Sequence, residues 1–374
     1  MNHTRIPLTS DHECTTADAR PVATRSLRLT AACLLAFAAA CGGAGEGDPV
    51  RVHVPAGASF SQVTDSLASR DIISTPALFK LYARVRSATG SVKPGTYAFR
   101  RGTAWSQILD DLSGGRVLTA RVVIPEAWDL RGIAPRIAAA TGLNEDSIIF
   151  VLTDTALANR LDVPGPTLEG YLYPATYTFP VAAPLDTIVA QMVAVYKRAW
   201  TPERRARADS LGLTEREVVT LASIIEKEAR QRDEMPIISA VYHNRLRRGQ
   251  RLEADPTVQY ALGEHQQRLL YAHIDSVAGN PYNTYRHAGL PPGPIGSPSS
   301  MGIDAALQPA DVNYLFFVAR PDGSHVFTRT FAEHTRARAM VRRLQREQAD
   351  APPAGSGSTP PATPPSGTAT PPQQ

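Results

Sequence analysis

The chain has 374 residues, enough for two domains of ordinary size, and its 43% apolar and 20% charged residues exclude a wholly disordered or fibrous protein. Its formal net charge of +4 suits a polyanionic partner, but it does not require nucleic acid, and no nucleic-acid partner is predicted. All three cysteines lie before residue 42, so the rest of the chain can contain neither a disulfide scaffold nor a thiol nucleophile.

Residues 1–41 have the pattern of an export signal. Arg25 and Arg28 precede an apolar run over 29–40, which is too short to span about 30 Å of hydrocarbon but fits the apolar region of a secretory signal. Three alanines then precede Cys41 in a sequence similar to the bacterial lipobox, although that motif usually has leucine three residues before the cysteine. Lipidation of Cys41, an uncleaved membrane anchor and plain export remain alternatives, and each places the body of the protein outside the cytoplasm.

A small α+β module of about 70 residues is predicted over 50–120, after a glycine-rich linker over 42–49. Valines at positions 50, 52 and 54 alternate with polar residues, which predicts a strand with one buried face. Further elements are predicted as helices over 59–69, 77–85 and 103–112 and a turn followed by a strand over 92–99.

A second domain is predicted over 121–348, followed by a disordered tail over 349–374, where Pro, Ser, Thr, Gly and Ala dominate. Thr214 and Glu217 form the pattern of a capping box at the start of one of its helices. The predicted elements are strands at 121–125, 312–319 and 326–327, helices at 130–140, 185–208, 214–231, 235–247 and 334–348, and loops at 168–174 and 279–299.

The helix around residue 226 contains two glutamates in an apolar stretch. Glu226 and Glu228 are about 200° apart around a helix, so only one can face a given cleft. Glu228 lies on the same side as Leu221 and Ile224, where apolar neighbours would raise its pKa into the range of a general acid. Glu226 lies with Arg230 at i+4, where the two can form an ion pair. The alternative is a solvated face with ordinary ion pairs.

The segment 252–260 surrounds a proline turn with polar side chains. Asp255, Thr257 and Gln259 suit hydrogen bonding to sugar hydroxyls and amides. The same residues also fit the start of a helix, with Asp255 as N-cap and Pro256 at N1, and the two interpretations are compatible.

A stiff loop at 280–285 combines aromatic rings with amides. Tyr282 and Tyr285 could stack on the apolar faces of sugars, and Asn283 could bind N-acetyl groups. The alternative is a purely structural connection rich in proline.

The arginine cluster, the histidines and the absence of common enzyme motifs limit the kinds of site that the chain can contain. Six arginines between 230 and 251 form either a solvated face or a surface for an anionic polymer. None of the nine histidines forms a tight pair of metal ligands, and no nucleotide-binding or serine-hydrolase motif occurs. We therefore predict no metal site and no cofactor.

Taken together, these stretches resemble the YceG-like family of endolytic murein transglycosylases, also called MltG. The similarity runs from about residue 50 to 344. It is carried by Ala222–Glu228, Asn244–Leu246, Leu252–Tyr260, Tyr282–Tyr285 and Gly289–Ile295, with His325–Phe327 and His334 in the closing segment.

The resemblance implies a LysM-like module at 50–120 and a mixed α+β catalytic domain at 121–348, in which one helix carries the catalytic acid, Glu228. The implied substrate-binding residues are Glu226, Asp255, Thr257, Gln259, Tyr282, Asn283 and Tyr285.

The implied activity is that of a lyase that cleaves the β-1,4 bond between N-acetylmuramic acid and N-acetylglucosamine within nascent peptidoglycan strands. The products would carry 1,6-anhydro ends, and cleavage would terminate strand elongation beside peptidoglycan synthases. The expected location is the inner membrane, with the body in the periplasm. Two alternatives are a hydrolase that uses water, with Glu226 or Asp255 as the second carboxylate, and a peptidoglycan-binding or scaffold protein without catalysis.

Overall fold

The structure is a computed structural model that describes residues 45–350. The predicted export signal and all but two residues of the predicted tail lie outside this range. The described chain divides into two compact units, one comprising the residues up to Ala120 with Phe179–Ala182, and the other Arg121–Thr178 with the residues from Ala183 onward.

In chain order the elements are β1 (Glu46–Val54), α1 (Phe60–Ala68), α2 (Pro76–Val85), β2 (Gly95–Arg101), α3 (Trp105–Gly114), β3 (Thr119–Ile124), α4 (Leu130–Thr141), α5 (Glu145–Leu152), α6 (Thr155–Arg160), β4 (Ala175–Pro180), α7 (Leu185–Ala199), α8 (Pro202–Leu211), α9 (Glu215–Glu228), a 3₁₀ turn (Arg232–Glu234), α10 (Met235–Arg247), α11 (Asp255–Leu262), α12 (Tyr271–Ser276), α13 (Ser300–Leu307), β5 (Phe316–Ala319), β6 (His325–Thr328) and α14 (Phe331–Asp350). The mixed α+β class predicted from the sequence is confirmed. Within residues 45–350 no helix is both long enough and apolar enough to cross a membrane.

The first unit is built on an antiparallel pair, β1 and β2, with Val52 opposite Tyr97. Val52 is fully buried whereas its strand neighbours are exposed, as the alternation predicted. Leu67 of α1 and Phe79 of α2 pack into the same core. The predicted linker was too long, because β1 already begins at Glu46 and pairs there with β2. The strand forms there because β2 pairs with it, and the residues of the glycine-rich segment do not by themselves predict a strand.

The second unit has α9 at its centre, in contact with α10, α11 and α13. Every residue of α9 from Val218 to Glu226 is buried, because neighbouring elements surround the helix on all sides. The hairpin of β5 and β6 is antiparallel, as predicted, with Phe317 opposite Phe327. β3 and β4 form a two-stranded sheet.

Several predicted boundaries in this unit were wrong. The single helix expected over 185–208 is two helices, because Thr201 caps a new helix and Pro202 cannot continue the previous one. The strand expected from 312 begins only at Phe316. Asp255 is not an N-cap but lies in the first turn of α11, whose N-cap is Ala254.

Candidate active site

The last turn of α9 carries Glu228. The helix begins at the predicted capping box, in which the Thr214 hydroxyl accepts from the Glu217 N–H and the Glu217 carboxylate accepts from the Thr214 N–H. It ends at Glu228, because Ala229 takes an extended conformation. The predicted end at residue 231 was three residues too late. The C-terminal end of a helix carries partial negative charge, which disfavours an ionised carboxylate there.

Glu228 lies at a cleft of 790 Å³ in the second unit, a volume within the range of about 300–1,000 Å³ that is usual for ligand sites. Carboxyl, cationic and amide side chains line the cleft. The ionisable residues that line it include Asp129, Lys227, Glu228, Arg230, Asp255 and Arg320.

The environment of Glu228 keeps its carboxyl protonated at neutral pH. Burial, and to a smaller extent the negative charge of Asp255, raise the pKa of Glu228 to about 8, although a hydrogen bond from Tyr242 opposes the rise. The Tyr242 hydroxyl donates to Glu228 Oε1 at 2.9 Å. No residue in the described part of the chain donates to Oε2, so this oxygen is free to carry a proton for a ligand in the cleft. The raised pKa expected from the apolar face of the helix is therefore present.

A second carboxylate, Asp255, enters the same cleft from the start of α11. The Tyr285 hydroxyl donates to Asp255 Oδ1 at 2.5 Å and so holds the carboxylate in place. Burial and the charge of Asp255 raise the pKa of Tyr285, which keeps this hydroxyl protonated and able to donate. Asp255 therefore lines the same cleft as Glu228, and Tyr285 contacts Asp255.

Gln259 lines the cleft and forms two hydrogen bonds to the backbone of Gln266 on its rim. Its side-chain nitrogen donates to the Gln266 carbonyl at 2.9 Å, and its oxygen accepts from the Gln266 N–H at 2.7 Å. Both ends of the amide are therefore engaged with the rim loop after α11.

Two of the predicted sugar-binding residues are buried away from the cleft. Thr257 bonds through its hydroxyl to the Ala254 carbonyl at 2.7 Å and to the Thr284 hydroxyl at 2.8 Å. Asn283 donates to the carbonyls of Ile274 and Val277. Neither side chain is exposed, so both hold loops together.

Glu226 is also turned away from the cleft, contrary to its predicted role in substrate binding. One oxygen, Oε2, accepts from both the N–H and the hydroxyl of Ser299, at 3.1 and 2.7 Å. Ser299 in turn caps α13 by accepting from the Gly302 N–H. Because this contact uses the buried side of α9, the predicted ion pair with Arg230 does not form, and Arg230 lines the cleft instead.

Tyr282, the remaining predicted residue, lies outside this cleft. Its ring packs on Tyr260 with 4.8 Å between the ring centroids, and it lines a separate cavity.

The sequence did not single out three residues that shape the cleft. Tyr242 lies on α10, and only the packing of that helix on α9 brings it to Glu228. His325 lines the cleft with its Nδ1 2.7 Å from Glu234 Oε2. Lys227 is half-buried there, and burial lowers its pKa. Lys227 and His325 lie within the quoted motifs and Tyr242 does not, but the local pattern around each has no feature that separates a cleft position from a core position.

The arginine cluster predicted between 230 and 251 does not act as one surface. Arg245 is buried and donates to the carbonyls of Leu315 and Leu252, so its role is structural. Arg232 pairs with Glu126 at 2.7 Å. Among residues 45–350 no group of three or more His, Cys, Asp or Glu side chains is placed to hold a metal ion.

The chain is similar over most of its length to known proteins. The profile described as "YceG-like family" matches residues 52–340. A protein of Bacillus subtilis named endolytic murein transglycosylase is 32% identical over 306 residues, which cover 77% of this chain and 84% of that protein. A protein of the same name from Streptococcus pneumoniae strain D39 is 27% identical over 72% of this chain, which spans only 54% of that relative.

A crystal structure of a YceG-like protein from Listeria monocytogenes has a TM-score of 0.54 to this one. The two chains are 32% identical, and the match covers 77% of this chain and 98% of the other. Since the family profile spans most of the sequence and the relatives agree with it, the chain belongs to the YceG-like family.

Proposed function

We propose that this protein is an endolytic murein transglycosylase with Glu228 as its catalytic acid. The observation that carries the proposal is a carboxyl held protonated at neutral pH, oriented by Tyr242 through one oxygen, at a cleft of sufficient size. The family and the names of the relatives supply the reaction class.

In the proposed reaction Glu228 donates its proton to the glycosidic oxygen between N-acetylmuramic acid and N-acetylglucosamine as the bond from that oxygen to C1 breaks. The resulting carboxylate then takes the proton from the C6 hydroxyl of the muramic acid, and O6 bonds to C1. The proton count of Glu228 is restored and no water is consumed, so the product ends in a 1,6-anhydro ring. One carboxyl suffices for both proton transfers.

Asp255 has two roles in this proposal. Its charge supports the raised pKa of Glu228, and it would stabilise positive charge that develops at C1 in the transition state. Gln259 and Tyr285 support the proposed site by fixing the rim and Asp255, whereas Glu226, Thr257 and Asn283 stabilise the fold around it.

The presence of Asp255 also favours one alternative, a hydrolase in which this second carboxylate activates water or attacks C1. Mass spectrometry of the glycan products separates the two reactions, because hydrolysis adds one water. We expect 1,6-anhydro ends from purified strands, and products with only reducing ends would reject the lyase reaction in favour of hydrolysis.

A second alternative is a glycan-binding protein without catalysis. Glu228→Gln keeps the shape of the side chain but cannot supply the proton, so the variant should bind murein sacculi and cleave about 10²–10⁴-fold more slowly. Glu226→Gln is the matched control, two residues away on the same helix, and should retain cleavage. Equal activity of Glu228→Gln and the wild type would reject Glu228 as the acid.

We also propose that the first unit is a LysM-like glycan-binding module and that the protein acts in the periplasm, attached to the inner membrane beside peptidoglycan synthases. The order strand, helix, helix, strand in β1–β2 with α1 and α2 supports the module, and the N-terminal sequence supports export. Membrane fractionation of Cys41→Ser tests the anchor. A soluble mature protein would support lipidation, and unchanged attachment would assign anchoring to the apolar run.

A further inference from the structure

A second cavity, of 220 Å³, adjoins the cleft within the second unit, since Tyr260 and Arg131 line both. Its other polar lining residues include Glu169 and Tyr171, from the loop before β4, and Arg216 of α9. None of them has a role in the proposed chemistry at Glu228.

Each of these three residues has a buried polar atom without a hydrogen-bond partner in the described part of the chain: Glu169 Oε1, the Tyr171 hydroxyl and Arg216 Nε. Buried polar groups in folded proteins are nearly always paired. Unpaired atoms on three residues that line one cavity are therefore candidates for pairing with a polar ligand.

The same residues are held firmly by their other atoms. Glu169 Oε2 accepts from the Leu130 N–H and the Tyr260 hydroxyl, both at 3.2 Å. A terminal nitrogen of Arg216 donates to the Pro292 carbonyl. The unpaired atoms are thus preorganised.

Two arginines, Arg131 and Arg216, line the cavity, which is rich in hydrogen-bond donors. Burial, with a smaller contribution from the negative charge of Asp129, raises the pKa of Glu169 to about 8, although the two hydrogen bonds to Oε2 and the charge of Lys227 oppose the rise. Glu169 is therefore protonated at neutral pH and donates, so the charges that act here are the positive ones of Arg131 and Arg216 and the negative ones of Asp129 and Glu215. The three donors that await a partner match the two oxygens of a carboxylate.

Two glycines keep the cavity open beside the unpaired atoms. A Cβ on Gly165 would lie 2.9 Å from the Tyr171 ring, and one on Gly293 would lie 3.2 Å from the Tyr282 hydroxyl. The remaining wall includes Leu130, Ile149 and Pro294, which suit a short aliphatic group.

We propose that this cavity binds a small aliphatic carboxylate of the substrate through Glu169, Tyr171 and Arg216. The identity of the substrate rests on the proposed function. Murein offers this chemistry in two places, the lactyl carboxylate of a muramic acid without a peptide and the terminal carboxylate of the attached peptide.

The test is a ligand-observed NMR titration of the full-length protein with two probes, N-acetylmuramic acid and N-acetyl-D-alanyl-D-alanine, each compared with its own amide. We expect at least one carboxylate to bind, its amide to bind much more weakly, and its affinity to fall as pH rises through about 8, where Glu169 becomes charged. The probe that binds identifies the source, and binding of both supports the shared chemistry.

Tyr171→Phe removes a hydroxyl that has no partner in the described chain, so the fold should persist while carboxylate affinity drops about tenfold or more. Gly293→Ala narrows the cavity without removing a polar group and should also weaken binding. Tyr271→Phe, at an exposed tyrosine, should leave affinity unchanged. Binding of neither probe, equal binding of the amides, or wild-type affinity in folded Tyr171→Phe would overturn the proposal.

Binding of the probes needs no turnover, so the two proposals can fail separately. Carboxylate binding without glycan cleavage would leave this site in place and reject the proposed function. Cleavage without carboxylate binding would reject only this inference.

Discussion

Replacing Glu228 by glutamine should stabilise the protein, and the gain should depend on pH. The pKa of Glu228 is raised from its ordinary value of 4.5 to about 8. As pH rises above 4.5, the unfolded chain releases this proton and the folded chain keeps it, so the folded state loses stability until about pH 8. Glu228→Gln removes the proton equilibrium while Tyr242 can still donate to the amide oxygen.

The size of the effect follows from the interval between 4.5 and the working pH. Each pH unit corresponds to about 1.4 kcal/mol, so at pH 7 the full difference is about 3 kcal/mol. Because Glu228 is only partly buried, water in the cleft screens its charge and reduces this difference. We therefore expect the free energy of unfolding of Glu228→Gln to exceed that of the wild type by about 2 kcal/mol at pH 7. The gain should vanish below pH 4.5 and level off above about pH 8.

Urea denaturation at pH 4, 7 and 8.5 measures this difference directly. Glu264→Gln, at an exposed carboxyl on the rim of the same cleft, is the matched control and should show no comparable dependence on pH. Two results would falsify the assignment of a protonated Glu228 carboxyl. One is a difference in unfolding free energy between Glu228→Gln and the wild type that is the same at all three pH values. The other is a variant less stable than the wild type at pH 7.

Three further outcomes are expected. Cleavage by the wild type should fall as pH rises through about 8, because Glu228 loses the proton it must donate. Asp255→Asn should move this alkaline limb of the pH–rate profile to lower pH, because the variant lacks a negative charge that raises the pKa of Glu228. Tyr242→Phe should move the limb to higher pH, because the variant lacks the hydrogen bond that lowers this pKa. Shifts of the same sign in the two variants would contradict the geometry. Gly302→Ala should destabilise the fold by about 1–3 kcal/mol in chemical denaturation, since a Cβ there would overlap Glu226 Oε2, and an unchanged midpoint would show that α9 and α13 can separate freely.

Local patterns in the sequence determined much of this protein. The capping box at Thr214 and Glu217 predicted where α9 begins, and the alternation of Val50, Val52 and Val54 predicted the face of β1 that is buried. The opposite directions of Glu226 and Glu228 followed from helical geometry alone, and one of them does reach the cleft while the other does not. These features depend on a few neighbouring residues, so the sequence contains them completely.

Tertiary structure alone decided what each polar side chain faces. Asp255 and Thr257 are two residues apart in one turn of α11, yet one lies at the cleft and the other is buried against Thr284. Glu226 binds Ser299, which is 73 residues later in the chain, and the Tyr242 that orients Glu228 comes from another helix. Burial and hydrogen bonding depend on which distant elements pack around a residue, and local residue spacing does not specify that packing.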